Sequence, residues 1–266
     1  MSRAIFFDID GTLIDCFGGV RHITPKVEQA IRSLKTQGDY IFIATGRPYA
    51  FISEELLNFG FDGFVLTNGA QVILHNETIY RESMEKAFVK EAVNAFERIG
   101  VQYILEGAVD SYMQERFEAF YEFYESIGIS RKHIKGSYEL EELEVQKIEV
   151  LCPNEEAVLQ CSAFLSQYPD YDHFASISQK SVEIYAKKNT KAMGILKALE
   201  YLNIPVEDSY AFGDGTNDIE MIQTVGCGIV MGNATEKLKE YADQLTESVQ
   251  NDGVAVGIEK YILKNS

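Results

Sequence analysis

The stretch AIFFDIDGT, residues Ala4–Thr12, guides the interpretation of the whole chain. An apolar run ends on two aspartates one residue apart and then a glycine, which predicts a buried strand that stops where a polar site begins. Side chains alternate along a strand, so Asp8 and Asp10 are expected to project to the same side at its carboxyl end. Two carboxylates this close repel each other, which favours a cation, a shared proton or a substrate beside them.

A second pair of aspartates tests how much this spacing means by itself. Asp170 and Asp172 are also one residue apart, but they follow Pro169 and have no apolar run before them. We interpret this second pair as a solvated loop. The spacing is therefore informative only at the end of an apolar strand.

Apolar strands alternate with helices at both ends of the chain. Tyr40–Ala44, Phe64–Leu66 and Ser209–Phe212 each end in polar or glycine residues, and this alternation predicts a parallel sheet with right-handed crossovers. The middle of the chain instead mixes helices with short, alternating strands, which indicates a separate insertion. We predict an α/β fold with a core domain at residues 1–82 and 187–266 and an inserted α+β domain at residues 83–186.

Polar side chains at the strand ends are expected to form one site. Asp8 and Asp10, Thr45 and Asp214 follow three different strands, and in an open parallel sheet such ends share one edge. Asp8 and Asp214 offer oxygen ligands suited to a hard cation such as Mg²⁺. Lys191 lies in the first turn of its predicted helix, where the helix dipole disfavours a cation. An anion held beside Lys191 would explain its position.

Composition limits the classes of molecule that this chain is expected to bind. The 266 residues carry a formal net charge of -17, which argues against nucleic acids and anionic membranes because both require a basic surface. A small anionic substrate remains possible if a metal ion and a few basic groups dominate locally. The four cysteines show no disulfide or metal spacing, and no apolar run is long enough for a signal core or a membrane span. We expect a cytoplasmic protein; the sequence does not indicate its oligomeric state.

These residues also resemble the motifs of haloacid dehalogenase (HAD) superfamily phosphatases, specifically the Cof-type branch with a class IIB cap. The resemblance covers nearly the whole chain. The four motifs correspond in order to Phe7–Leu13, Ala44–Arg47, Lys191 and Gly213–Asp218. Met231–Ala234 and Asn251–Val254 resemble later signatures of that branch. The resemblance implies a Rossmann-like core domain and an inserted cap domain that determines substrate specificity.

The resemblance further implies a Mg²⁺-dependent phosphomonoester hydrolase that acts on a small phosphometabolite, such as a sugar phosphate, through an aspartyl-phosphate. Asp8 would be the nucleophile, Asp10 the general acid and base, and Thr45 and Lys191 would contact the phosphate oxygens. Residues predicted to bind substrate are Gly11, Gly46, Arg47 and Asn68. Residues predicted to hold or support the metal are Asp8, Asp10 through its backbone carbonyl, Asp214, Asn217 and Asp218.

Two other functions remain open on the sequence. A phosphomutase would use the same aspartyl-phosphate and return the phosphoryl group to a second hydroxyl of the substrate. A non-hydrolytic regulator would only bind a phosphometabolite, although it would not need the repelling pair Asp8 and Asp10. Glu183 of the cap is a candidate for contacting sugar hydroxyls.

Overall fold

The chain forms two compact units in a computed structural model that describes residues 2–16 and 18–264. The first unit comprises Met1–Gly46, Leu56–Tyr80 and Thr190–Ser266, and the second comprises Arg47–Glu55 and Arg81–Asn189. The second unit therefore includes the separate segment Arg47–Glu55 as well as the predicted insertion at 83–186. The predicted core range also contains Met1, Phe17, Asn265 and Ser266, which lie outside the described residues.

The first unit contains an eight-stranded sheet in the order β14-β13-β12-β1-β2-β3-β4-β5. The six strands from β14 to β3 run parallel to their neighbours, and β4 is antiparallel to β3. This confirms the predicted α/β fold with a parallel core sheet. The strands are β1 Ala4–Phe7, β2 Tyr40–Ala44, β3 Gly63–Leu66, β4 Gln71–Leu74, β5 Glu77–Arg81, β12 Ser209–Gly213, β13 Cys227–Val230 and β14 Gln244–Leu245.

Strand β1 is central in this sheet and is buried on both faces. Phe6 stacks on Phe42 of β2 with ring centroids 4.9 Å apart, and Phe7 stacks on Phe212 of β12 at 5.2 Å. A parallel strand covered on both faces is expected to be apolar throughout, which explains the unbroken apolar run before the aspartates. Pairing on both sides fixes the backbone that leads into Asp8.

The second unit contains a six-stranded sheet in the order β10-β11-β9-β6-β7-β8. All pairs are antiparallel except β7 with β8. Side chains of β9 and β11 form a core with residues of the helices Lys86–Ile99 and Glu155–Leu165, including Phe96 and Val158. Its strands are β6 Gln102–Glu106, β7 Ser111–Tyr112, β8 Ile134–Lys135, β9 Lys147–Leu151, β10 Tyr171–Ser176 and β11 Ser181–Ala186.

Nine α-helices are present in residues 2–16 and 18–264, with short 3₁₀ turns between several elements. The helix α9 continues directly into a π-helical segment, Ile258–Leu263. None of the helices in the described part of the chain has the length and apolar character needed to cross a membrane. The α-helices are α1 Pro25–Thr36, α2 Glu54–Asn58, α3 Lys86–Ile99, α4 Glu118–Ser126, α5 Glu155–Leu165, α6 Lys191–Leu202, α7 Ile219–Thr224, α8 Glu236–Lys239 and α9 Gly253–Gly257.

The interpretation of Asp170 and Asp172 as a loop was wrong for the second of them. Asp170 lies in a turn, but Asp172 belongs to the edge strand β10 and is paired with Tyr185 of β11. Exposure alternates only weakly along this edge strand, so its local sequence looks like a loop. Pairing with β11 determines its conformation.

The Thr24 side chain connects two helices of the first unit. Its hydroxyl accepts a hydrogen bond from the Val27 N–H at 3.3 Å, which caps α1, and donates to Asp252 Oδ1 at 2.6 Å just before α9. Thr24→Ala should lower the free energy of unfolding by about 1 kcal/mol, as loss of an N-cap does. Urea unfolding should show this loss for Thr24→Ala, whereas Thr24→Ser keeps the hydroxyl and most of the stability. Equal losses in both variants would contradict the capping role.

Candidate active site

Asp8 follows β1 directly and is 6% exposed. Its backbone N–H donates to the Phe212 carbonyl at 3.0 Å, so pairing with β12 continues to this residue. Burial raises the pKa of Asp8 well above its usual range, with smaller contributions from Asp218 and Asp10, while the Lys191 ammonium opposes the shift. Asp10 lies two residues further on and is exposed to solvent. The first motif thus presents one buried and one exposed carboxylate.

Lys191 lies between two of the carboxylates. Its Nζ donates to Asp8 Oδ1 at 2.7 Å and to Asp218 Oδ1 at 2.6 Å, and its side chain is fully buried. Burial lowers the pKa of Lys191, but attraction to Asp218 and Asp8 outweighs burial and raises it overall. The anion expected beside this lysine is therefore present in the chain itself, as two aspartates.

Asp218 is wholly buried, and both of its carboxylate oxygens have partners in the chain. Oδ1 accepts from Lys191, and Oδ2 accepts from the backbone N–H groups of Asp214 and Gly215, at 2.9 Å each. These bonds shape the loop after β12 and hold Lys191. They favour a supporting role for Asp218 over direct metal ligation.

Asp214 is partly buried at the end of β12. Its Oδ1 accepts from the Thr12 hydroxyl at 3.2 Å. Burial, followed by repulsion from Asp218, raises the pKa of Asp214 to about 7. Gly11 contacts this carboxylate closely: a Cβ on Gly11 would lie 2.1 Å from Asp214 Oδ2, and its φ of +82° also favours glycine.

The aspartates form a group that could hold a metal ion. Oxygen atoms of Asp8, Asp214 and Asp218 lie within 4.8 Å of one another. When all three carboxylates are ionised, the charge of Lys191 offsets only one of them, and the group has an excess of negative charge. Hard oxygen donors with an excess of negative charge suit a divalent cation such as Mg²⁺. Because Asp218 already has partners at both oxygens, Asp8 and Asp214 are the better candidates for ligands.

Thr45 lies at the end of β2 and is 1% exposed. Its N–H donates to the Val65 carbonyl at 2.9 Å, and its carbonyl accepts from the Asn68 N–H at 3.1 Å. Asn217 Nδ2 donates to Asn68 Oδ1 at 3.4 Å. A Cβ on Gly46 would lie 3.0 Å from the same Asn68 oxygen. The structure thus joins Thr45, Gly46, Asn68 and Asn217 into one connected group.

Arg47 belongs to the second unit, where its Nη1 donates to the Phe51 carbonyl at 3.2 Å. Asn233 was not among the predicted site residues, yet its Nδ2 donates to the Gly11 carbonyl at 2.8 Å and its Oδ1 accepts from the Val249 N–H at 2.9 Å. Asn233 lies within Met231–Ala234, a stretch that resembles a later signature of the Cof-type branch. This resemblance could have identified Asn233 as a site residue. Asn233 fixes the loop that carries Asp10.

The raised pKa of Asp214 predicts a pH dependence of stability in metal-free protein. A carboxylate with a folded pKa of about 7 and an ordinary value of 3.8 contributes stability below pH 3.8 that is lost as the pH rises towards 7. With a chelator present, the free energy of unfolding should therefore fall between pH 5 and pH 8. Urea unfolding of Asp214→Asn should show a smaller fall, while an unchanged fall would contradict this origin.

Sequence comparison places these motifs in a known family. Haloacid dehalogenase-like hydrolases match the chain over residues 5–258. The protein YkrA of Bacillus subtilis (strain 168) is 30% identical over 97% of both chains. The 5-amino-6-(5-phospho-D-ribitylamino)uracil phosphatase YitU of the same strain is 27% identical over 97% of this chain and 96% of its own.

Comparison with solved structures supports the same family assignment. The solved structure of BT4131, a subclass IIB sugar phosphatase of the HAD superfamily, superposes with a TM-score of 0.81 at 28% identity. The similarity covers 98% of this chain and 99% of BT4131. The chain therefore belongs to the haloacid dehalogenase-like hydrolases, which confirms the predicted family and the predicted class of enzyme.

Proposed function

We propose that this protein is a Mg²⁺-dependent phosphomonoester hydrolase that acts on a small phosphometabolite through an aspartyl-phosphate on Asp8. The observation that carries this proposal is the buried Asp8 carboxylate held by Lys191 within a group of three aspartates. Family membership supports the same reaction. A pure binding module has no need of several repelling carboxylates at one strand end.

The proposed reaction has two steps. An Asp8 oxygen attacks the phosphorus atom, the bond to the leaving oxygen breaks, and Asp10 gives that oxygen its proton. Asp10 then takes a proton from water, which attacks the phosphorus atom, releases inorganic phosphate and restores Asp8. Splitting the transfer in this way replaces one difficult step by two easier ones. Exposure of Asp10 suits a group that exchanges protons with water.

Thr45, the Gly46 N–H and Lys191 are proposed to contact the phosphoryl oxygens. Such groups neutralise negative charge as the phosphoryl group is transferred, and loss of one donor typically costs about 10² to 10³ in rate. Lys191 also reduces repulsion between Asp8 and an incoming phosphate, because its ammonium lies 2.7 Å from Asp8 Oδ1.

Asp8, Asp214 and the backbone carbonyl of Asp10 are the proposed ligands of Mg²⁺, with Asn217 and Asp218 in support. The donor set of carboxylate and carbonyl oxygens fits this ion. When bound, Mg²⁺ would supply positive charge that offsets the carboxylates and the phosphate. Asp218 supports the site through the Asp214 N–H, to which its Oδ2 is bonded.

We predict that Asp8→Asn abolishes phosphate release. Wild-type protein should release phosphate from a panel of phosphomonoesters when Mg²⁺ is present and stop when a chelator is added. Asp8→Asn removes the nucleophile and should lower kcat/KM by at least about a thousand-fold. The matched control is Asp170→Asn, which changes an exposed aspartate in a turn and should retain full activity.

The outcomes of this assay separate the candidate functions. A mutase would release phosphate slowly and produce an isomer of the substrate. A binding module would release none and would instead be thermally stabilised by a phosphometabolite. Equal activity in Asp8→Asn and wild type would overturn the aspartyl-phosphate proposal.

We further propose that the second unit acts as the cap domain and recognises a leaving group rich in hydroxyls. On one face of its sheet, Lys147 Nζ lies 2.9 Å from Glu149, 3.3 Å from Glu106 and 3.4 Å from Glu183. Glu106 and Lys147 are buried, whereas the side chains of Glu149 and Glu183 are 25% and 33% exposed. Tyr124 donates to the second oxygen of Glu149 at 2.5 Å.

The balance of charge on this face indicates which leaving groups it favours. Glu149 and Glu183 are the accessible carboxylates beside one lysine, so this face offers hydrogen-bond acceptors with an excess of negative charge. Such a face can accept hydrogen bonds from hydroxyl or amino groups and repels a second anionic group. This agrees with the ribityl group in the YitU substrate and with the sugar phosphatase BT4131.

Reversing one charge on this face should change substrate preference. Glu183→Lys is expected to lower kcat/KM for a hexose 6-phosphate by about ten-fold and to raise it for phosphoglycolate, because the repulsion of anions is removed. Activity on acetyl phosphate, which has no hydroxyl to recognise, should remain unchanged. Glu122→Lys, at an exposed position of α4, is the matched control. An unaltered ratio of sugar phosphate to phosphoglycolate activity would refute this role.

A further inference from the structure

The turn after β3 has an unusual backbone. Thr67, Asn68 and Gly69 are consecutive, and their φ angles of 53°, 52° and 91° all lie in the left-handed region. A β-branched residue such as threonine rarely adopts this conformation, because its Cβ crowds the backbone. Strain of this kind persists only where the surrounding structure imposes it, and it is concentrated at functional sites.

Thr67 carries a second unfavourable feature. The residue is 1% exposed, and its Oγ1 has no hydrogen-bond partner within residues 2–16 and 18–264. A buried hydroxyl without a partner has lost its hydrogen bonds to water and forms none in the protein, which destabilises the fold. Glycine at this position would remove both the strain and the unpaired hydroxyl. Stability alone therefore does not explain threonine here.

On one side, the turn contacts the loops after β2 and β12. The Asn68 N–H donates to the Thr45 carbonyl at 3.1 Å, and Asn68 Oδ1 accepts from Asn217 Nδ2 at 3.4 Å. The turn therefore determines where the end of β2 lies relative to the loop that also contains Asp218.

On its other side, the turn packs against the start of α6. A Cβ added to Gly69 would lie 2.0 Å from the Thr190 carbonyl oxygen and 3.2 Å from the Gly194 backbone nitrogen. Thr190 is the N-cap of α6, and Lys191 is its first residue. The backbone of the turn thus contacts the helix end from which the Lys191 side chain extends.

We propose that the turn Thr67–Gly69 is a strained positioning element that fixes the separation between Thr45 and Lys191. This inference rests on the proposed function, in which those two residues contact the phosphoryl oxygens. Thr67 acts through its neighbours in the turn and not on the substrate. The neighbouring contacts hold the strained backbone in this conformation, and threonine has fewer alternative backbone conformations than glycine, so both donors stay in place before substrate binds.

The variant Thr67→Gly tests this role, because a positioning role and a purely structural role predict different results. Relief of strain should raise Tm by a few degrees. The loosened turn should lower kcat by about ten-fold with little change in KM, because donors that act in the transition state are displaced. A gain in stability together with a loss of kcat is a trade-off that a purely structural residue would not show.

Asn203→Gly is the matched control. Asn203 also has a left-handed backbone, with a φ of 53°, but it is exposed at the C-terminal end of α6. This variant should leave kcat unchanged. Two results for Thr67→Gly would overturn the proposal: a lower Tm, which would show that the turn is not strained, or a higher Tm with unchanged kcat.

A crystal structure of Thr67→Gly separates this inference from the proposed function. If the wild type releases no phosphate from any ester, the proposed function fails, and the positioning role is then judged from the coordinates. We expect the contact of Lys191 Nζ with Asp8 Oδ1, 2.7 Å in the wild type, to lengthen or to occur in more than one arrangement. An unchanged contact, with Thr45 in its original place, would refute the positioning role.

Discussion

The placement of the Lys191 ammonium between Asp8 and Asp218 is the interaction on which the rest of the site depends. All three side chains are nearly or fully buried, and burial of an unpaired charge is strongly unfavourable. Without the lysine, the two aspartates would repel each other inside the protein. The pair of contacts therefore holds together the end of β1, the loop after β12 and the start of α6. Because Asp218 also binds the Asp214 and Gly215 N–H groups, the same interaction fixes the loop that carries Asp214.

Much of this arrangement could be predicted from the sequence, because strand ends in a parallel sheet share one edge. The order of apolar strands and polar ends is by itself enough to assign Asp8, Thr45 and Asp214 to that edge. The role of Asp218 could not be predicted in the same way. One of its oxygens binds the N–H groups of its own loop, but the other accepts from Lys191, 27 residues away in the sequence. Sequence spacing contains no information on such contacts.

The second unit was harder to interpret from sequence. Its sheet is mainly antiparallel and its edge strand β10 is only partly buried, so the sequence there has no clear apolar pattern and predicts a loop at Asp172. The segment Arg47–Glu55 also packs with this unit, although it is separated from the rest of it by β3, β4 and most of β5. Local patterns cannot reveal such an association, because it depends on packing between distant parts of the chain. The same limit applies to Lys147, whose three glutamate neighbours come from three different strands.

The edge position of β5 bears on how proteins of this architecture can diverge. The first unit is interrupted immediately after Tyr80, within a strand that has a neighbour on one side only. An insertion there interrupts no central strand pairing, and the chain returns to the first unit at the N-cap of α6. The inserted segment can therefore vary in size and surface while the strands that carry the aspartates remain unaltered. During evolution, this segment can thus change in length and sequence without altering the backbone that leads into Asp8 and Asp214.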